Sequence, residues 1–219
     1  MKKLARLSLQ SAVLLFVCSG VYAQVGIMNL VQWEVANGGN DHWYAVMAED
    51  AYWHDAYSMS RTVEQAGQFG YLATITSQAE NDFIFNSVTS GVTNPSILDE
   101  YYLGGYWDDD WSWITGEDFS YTNWAPGEPN NWASDGGNNE PAIAMWGHGT
   151  THSLRVPGMW NNEEADAFTF WSIVEWGGST TDLPTTAPFS PSPLTVVPEP
   201  STLLLLGLGL VGARIIKRL

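Results

Sequence analysis

Trp124-Ala125-Pro126-Gly127-Glu128-Pro129-Asn130-Asn131-Trp132 is the window on which the reading of this 219-residue chain turns. A carboxylate and a carboxamide flank one proline. If Pro129 fixes the turn, Glu128 and Asn130 face the same side, and both offer hard oxygen donors. Calcium takes six to eight such oxygens at roughly 2.3–2.6 Å. More oxygens follow on loops at Asn139-Glu140 and at Trp160-Asn161-Asn162. On the residues alone two readings stand: a metal site, or loop Asn and Asp side chains that close turns for their own reasons.

Upstream of this window the pattern is helical. Residues 55–68 space Ala56, Met59, Val63 and Ala66 on one face and meet Gly67 and Gly70, which suit a helix stop. Residues 71–75 read as a short strand. Ser77-Gln78-Ala79-Glu80 is a capping box, in which the serine accepts the N–H three residues on and the glutamate reaches back. Ala79, Phe83, Phe85 and Val88 carry a second helix over 78–88.

Past Gly91 the pattern changes to short aromatic strands at 101–107, 111–114, 142–146 and 168–176. Thr115-Gly116, Pro126-Gly127 and Asp135-Gly136-Gly137 punctuate them. Two early helices followed by a strand-rich, loop-rich half predict an α+β domain. All 12 tryptophans fall within 33–176, which marks its limits. A body of that length can bury a single sizeable core.

The two ends read as addresses. Lys2, Lys3 and Arg6 precede the apolar run Leu14-Leu15-Phe16-Val17 and the small-residue pattern Val21-Tyr22-Ala23. This predicts a signal peptide over 1–23, cleaved after Ala23. Cys18, the one cysteine, lies inside it, so disulfides, thiolate metal ligands and a cysteine nucleophile are excluded from the mature body. Residues 178–197 are rich in Thr, Ser and Pro and read as a linker. Pro198-Glu199-Pro200 then precedes an apolar stretch and the basic residues Arg214, Lys217 and Arg218. This order over 198–219 resembles the PEP-CTERM sorting signal of bacterial exported proteins. The resemblance implies an exosortase-type processing partner and transient anchoring in the inner membrane through an apolar C-terminal helix. The processed protein is then secreted, or held at the cell surface in an extracellular polysaccharide matrix.

Removing both ends sharpens the charge. Six of the eight basic residues lie in them, and Glu199 is the one acid among 24 that does. Arg61 and Arg155 are left against 23 acids, a net charge of -21. Such a body has no positive field to displace counterions from a nucleic acid. Its carboxylates need water or a divalent cation as partners.

The body as a whole resembles the C-type lectin-like domain. The resemblance rests on Trp111-Ser112-Trp113, Gly116, Tyr121-Thr122-Asn123-Trp124, Gly127-Glu128-Pro129-Asn130-Asn131, Asn139-Glu140 and Trp160-Asn161-Asn162, in that order. Upstream, Gly70-Tyr71-Leu72-Ala73-Thr74-Ile75, Glu80 in the capped helix and Tyr102-Leu103-Gly104-Gly105 agree with it. It implies a domain over 24–177 with two helices, short antiparallel sheets and a long loop-rich region. It further implies a calcium site made by Glu128, Asn130, Glu140, Asn161 and Asn162, with a cis proline between Glu128 and Asn130. In sugar-binding members the same calcium coordinates two vicinal hydroxyls, so carbohydrate would meet Glu128, Asn130, Glu140 and Asn161, with Trp132 beside them. The Glu-Pro-Asn order is similar to that of members preferring mannose-type sugars. The physical reason lies in which side chains accept and which donate around the metal.

Two departures stand out. Ala142 and Val174 occupy positions where the resemblance expects cysteine, and Asn162 stands where it expects aspartate. The second leaves two carboxylates facing a dication, which predicts weaker calcium binding. The segment 147–157 is also longer than usual.

The function expected is that of an exported, calcium-dependent carbohydrate-binding protein, acting on polysaccharide without chemical turnover. The alternative is a calcium-independent lectin-like domain that contacts protein or cell surfaces. Glycoside cleavage needs an acid and a nucleophile at defined separation, and nothing in the sequence marks such a pair. His42, His54, His148 and His152 have no metalloprotease spacing and read as loop or surface residues. Asp108-Asp109-Asp110 reads as solvated loop charge or as auxiliary calcium ligands, and Trp124 and Trp132 flank the expected site.

Overall fold

Strand β2 (Trp43–Ala51) buries Tyr44, Ala45, Val46 and Met47 without alternation. A strand with no wet face must have layers on both sides, and the computed structural model supplies them. It describes residues 26–95, 98–132, 139–150, 155–178, 183 and 186–188. The expected signal peptide with Ala23, nearly all of the expected linker, and the sorting segment with Pro198, Glu199, Pro200 and the expected apolar helix lie outside the described residues.

Around β2 runs a mixed sheet. Strand β1 (Ile27–Gln32) pairs antiparallel with β2, which pairs antiparallel with the last strand, β10 (Phe170–Trp176). The N- and C-terminal parts of the body thus close on each other. β10 runs parallel to β6 (Glu100–Asp108), which is followed across the sheet by β8 (Ala142–Trp146) and β9 (Trp160–Glu163), both antiparallel. β7 (Asp110–Trp113) folds back on β6, and β5 (Tyr71–Leu72) pairs with β10.

The first helix is shorter than the sequence reading expects, and the second covers the expected 78–88. Helix α1 spans Trp53–Ser60 only. Residues 64–69 form a small antiparallel ribbon, β3 (Glu64–Gln65) with β4 (Gln68–Phe69), turned at Ala66 (φ 52°) and Gly67 (φ 81°). Two successive left-handed residues make a hairpin turn whose twist fits its strands, so Gly67 serves a reversal and not a helix cap. Helix α2 (Gln78–Phe83) continues as a π-helical turn, Ile84–Val88, in which Thr89 N–H reaches Ile84 O at 3.0 Å. Ser77 Oγ accepts the Glu80 N–H at 3.2 Å, as a capping box requires. Glu80 does not return to Ser77. Its carboxylate accepts from Thr76 N–H at 2.8 Å and from Tyr44 Oη at 2.6 Å, tying α2 to β2.

Two buried clusters sandwich the sheet. Ala45, Met47, Tyr102, Ala144, Phe170 and Val174 pack with Trp53, Ala56 and Tyr57 of α1 on one side. Tyr44, Val46, Leu103, Ile143, Met145 and Ile173 pack with Ile84, Val88, Trp113 and Trp160 on the other. Ala142 and Val174 are fully buried in the first cluster, so apolar packing stands where the resemblance expects cysteine. Close approach at the centre depends on Gly104 and Gly105. A Cβ on Gly104 would lie 2.5 Å from Leu72 O, and one on Gly105 would lie 2.3 Å from Ile143 Cδ1. The register between β6 and β8 shifts between Tyr102 and Tyr106, across these two glycines.

Candidate functional site

The loop that carries Glu128 is fastened to β9 before it forms any site. Ala125 N–H donates to Trp160 O at 2.9 Å, and Trp160 N–H donates to Asn123 O at 2.8 Å. The Trp160 indole is fully buried and gives its Nε1–H to Asn81 Oδ1 at 2.8 Å. Trp124 packs on Trp160 (5.8 Å) and Trp111 (5.0 Å), so it supports the loop. The chain then reverses at Pro126-Gly127. Gly127 has φ 97°, and Glu128 N–H closes the turn on Ala125 O at 2.9 Å. Proline followed by a residue of positive φ is the requirement of a type II turn.

Next comes a cis peptide bond, Glu128–Pro129. It places both Glu128 oxygens over Asn130: Asn130 N–H donates to Oε2 at 3.1 Å and Asn130 Nδ2 to Oε1 at 2.8 Å. Asn131 takes a left-handed conformation (φ 54°), and its Oδ1 accepts the Glu140 N–H at 2.9 Å. Trp132 N–H is shared between Asn130 Oδ1 (2.8 Å) and Glu140 Oε2 (2.7 Å). Asn162 closes the ring. Its Oδ1 accepts the Asn130 N–H at 2.9 Å and its Nδ2 donates to Glu140 O at 3.2 Å.

Glu128, Asn130, Glu140 and Asn162 are thereby brought together in one hydrogen-bonded network. Asn161 is not part of it. On β9, successive side chains point to opposite faces. Asn162 lies across from Ile143, while Asn161 lies across from Ala144 on the α1 side. Its amide donates to Glu163 Oε1 at 2.7 Å. Trp132 is 74% exposed and free to touch a ligand. His148 stacks on Phe85 at 4.0 Å and meets Phe85 O through Nε2, so it supports the fold, and Asp108, Asp109 and Asp110 are exposed at a hairpin tip. His152 lies outside the described residues.

Electrostatics in the network are governed by burial. Burial pushes the Glu140 carboxyl up to about 7, opposed by the Trp132 N–H and assisted by the nearby charges of Glu128 and Glu164. Burial also raises Glu128, against the two bonds from Asn130. On the far face of β9, Glu163 and the fully buried Glu100 are both raised by burial, with Glu140 adding to the effect at Glu163. Carboxylates short of positive partners are the donor chemistry that a hard dication satisfies. Among the described residues no three His, Cys, Asp or Glu side chains converge to hold a metal; the donor set is two carboxylates and two carboxamides.

Sequence reasoning did not single out Trp107, Glu100, Glu163 or Glu164. Trp107, Trp111, Pro129, Asn131, Glu140 and Asn162 line a cavity of about 190 Å³ beside the network. The signal for Trp107 is the spacing Trp107-Asp108-Asp109-Asp110-Trp111, a tight hairpin with a tryptophan on each arm.

Known proteins resemble both parts of the chain. The family model of the PEP-CTERM protein-sorting motif matches residues 196–218. A perlucin-like protein of Mytilus galloprovincialis is 32% identical over 103 residues, which is 43% of this chain and 54% of the relative. Lectin BRA-3 of Megabalanus rosa is 32% identical over 102 residues, 47% of this chain and 56% of the relative. The chain thus spans about half the length of these curated relatives. Among solved structures, the C-type lectin CEL-I from Cucumaria echinata superposes with a TM-score of 0.50 at 21% identity, covering 64% of this chain and 93% of that one. Human lithostathine gives 0.51 at 16% identity, covering 68% and 89%. At these identities the structures speak for the fold, and the fold agrees with the order of motifs along the body. The body has the C-type lectin fold, and residues 196–218 match the PEP-CTERM protein-sorting motif.

Proposed function

We propose that the protein is exported and binds carbohydrate through calcium, without chemical turnover. The observation that carries this reading is the single network joining Glu128, Asn130, Glu140 and Asn162. Their oxygens would hold the cation. A carbonyl or carboxylate oxygen that accepts one hydrogen bond keeps a second lone pair for it. Asn161 joins the set only by releasing Glu163. Bound calcium would supply a Lewis-acidic centre for a pair of vicinal hydroxyls, and Glu128, Asn130, Glu140 and Asn161 would orient those hydroxyls by hydrogen bonds. The Glu-Pro-Asn order favours mannose-type pairs. Lectin BRA-3 among the relatives supports carbohydrate binding as the class.

The sorting motif supports export. The proposed organisation is a signal peptide over 1–23, the lectin-like domain over 24–177, a linker over 178–197 and the sorting segment over 198–219. An exosortase-type enzyme acts on the last of these while its apolar helix rests in the inner membrane. A polysaccharide of the extracellular matrix is the expected partner.

Carbohydrate-array binding of the exported protein, with calcium and then with chelator, tests the reading. Calcium-dependent retention of mannose-type glycans, abolished by Glu128→Ala, is the expected result. Chelator-resistant binding would replace it with the second reading, a calcium-independent domain. That alternative is favoured by one observation: Asn161, one of the five expected ligands, lies on the opposite face of β9 and donates to Glu163.

A further inference from the structure

We infer that the cavity between the β6–β7 hairpin and the Glu128–Trp132 loop is a second sugar subsite, and that it selects a neutral pyranose. This rests on the carbohydrate-binding reading above and names the class of glycan: an oligosaccharide of uncharged residues, engaged over at least two rings.

The two walls of the cavity differ in chemistry. Trp107 and Trp111 form one, with Pro129 beside them; Asn131, Glu140 and Asn162 bring polar groups to the other. A pyranose has the same division, with C–H bonds on a face and hydroxyls around the rim. Indole faces hold the first by apolar contact, and carboxylate and carboxamide groups accept and donate to the second. Apolar walls with a few placed polar groups are the usual composition of a small-molecule site.

The aromatic wall is held in place independently of any ligand. Trp107 and Trp111 are cross-strand partners, with ring centroids 5.5 Å apart and planes at 71°. Trp111 is backed by Trp124 at 5.0 Å and Phe119 at 6.3 Å. The hairpin is registered against the calcium-binding loop as well, because Trp107 N–H donates to Pro141 O at 2.8 Å, the residue after Glu140. Yet Trp107 itself remains 45% exposed. Leaving so much indole in water at the rim of a cavity forgoes the burial that the other aromatic residues of the hairpin obtain, and a ligand on that face would recover it.

Charge decides which pyranose fits. Asp108, Asp109 and Asp110 are exposed at the hairpin tip next to Trp107. A uronate or sulfated sugar placed here meets the like charge of that tip.

The test measures affinities of the calcium-loaded full chain for methyl α-mannoside, for α-mannotriose and for a uronate trisaccharide. For the unsubstituted protein the neutral trisaccharide is expected to bind about tenfold more tightly than the methyl glycoside, and the uronate at least about tenfold more weakly than the neutral trimer. Trp107→Ala is expected to remove the trimer's advantage and leave the methyl glycoside within about twofold; Trp107→Phe, the safer variant for folding, is expected to fall between. Equal loss for both sugars, or no loss for the trimer, overturns the subsite while leaving the calcium site standing. Preference for the uronate trimer overturns the charge assignment. Failure of the unsubstituted protein to bind either neutral sugar overturns the carbohydrate reading, and the subsite with it.

Discussion

Asn162 Oδ1 accepts the backbone N–H of Asn130 at 2.9 Å, so the last donor of the site holds the turn that presents the first. The same amide gives Nδ2 to Glu140 O at 3.2 Å. An aspartate at this position keeps the first bond and strengthens it, but loses the second and sets a charge against a carbonyl oxygen. Asn162→Asp is therefore expected to destabilise the calcium-free protein by about 1 kcal/mol. Its third carboxylate is expected to tighten calcium by about tenfold, since affinity follows ligand charge. Calorimetric titration with calcium and thermal unfolding in chelator measure the two effects separately. Unchanged calcium affinity would remove Asn162 from the ligand set.

Calcium and protons compete for the same carboxylates. Burial raises Glu140 to about 7, and it raises Glu128 as well. A carboxyl whose folded pKa lies above its unfolded value contributes stability that is complete below the unfolded value and lost as pH rises through the folded one. The calcium-free domain is therefore expected to lose stability between roughly pH 4.5 and 7 as Glu140 ionises. Calcium needs the ionised form, so the rise in melting temperature it gives is expected to be large at pH 8 and nearly absent at pH 5. Melting curves at fixed free calcium across that range decide the matter. An equal calcium effect at pH 5 and pH 8 would show that Glu140 is not a ligand.

How far the sequence discloses this molecule depends on how local the cause of each feature is. Ser77 and Glu80 announced α2 because a cap is made within one turn. The Pro126-Gly127 reversal was legible for the same reason, as its dihedral angles belong to the residues themselves. The tail of α1 was not. Ala66-Gly67 continues a helical spacing on paper, and only the pairing of β3 with β4 turns it into a hairpin. β9 reads as a loop because asparagine is poor strand material. Its strand state comes from β8, which lies far away in sequence. That same strand state turns Asn161 away from Asn162, so adjacency in sequence did not mean adjacency in the site. The significance of Trp107 is a cavity, and a cavity exists only once β6, β7 and two loops have met.

Asn81 ties α2 to the floor of the site. Its Oδ1 accepts the buried Trp160 Nε1–H at 2.8 Å, and its Nδ2 donates to Gly158 O at 3.0 Å. Asn81→Ala leaves an indole N–H unpartnered in the core, at an expected cost of about 1–3 kcal/mol. Asn81→Asp keeps the acceptor and lets the comparison isolate the Trp160 bond from the Gly158 bond. Because Trp160 also fastens the 123–125 segment, sugar affinity is expected to fall with Asn81→Ala even when the protein is fully folded. Denaturant unfolding read by tryptophan fluorescence gives the stability change; one below about 0.5 kcal/mol would mean that water replaces Asn81.

Away from the site, His42 Nδ1 meets Glu175 at 2.6 Å, and Tyr44 Oη reaches both Glu80 (2.6 Å) and Glu175 (3.3 Å). The Glu175 bond raises His42 above 6.5 against the opposing effect of burial, with the charges of Glu175, Glu80 and Glu117 adding to it. Glu80 is raised by burial and by Glu175, against its bonds from Tyr44 and Thr76. Both shifts have the same sign, so both contributions fade as pH rises, but in separate windows. Glu80 acts upward from the ordinary carboxylate range, and His42 acts between 6.5 and its raised folded value. His42→Gln is expected to flatten the loss of stability above pH 6.5, and Glu80→Gln to flatten the loss at lower pH. Unfolding free energies measured from pH 4 to pH 9 on the three proteins separate the windows. If the curve of His42→Gln runs parallel to the parent above pH 6.5, the ion pair contributes nothing, and His42 is a bystander to these carboxylates.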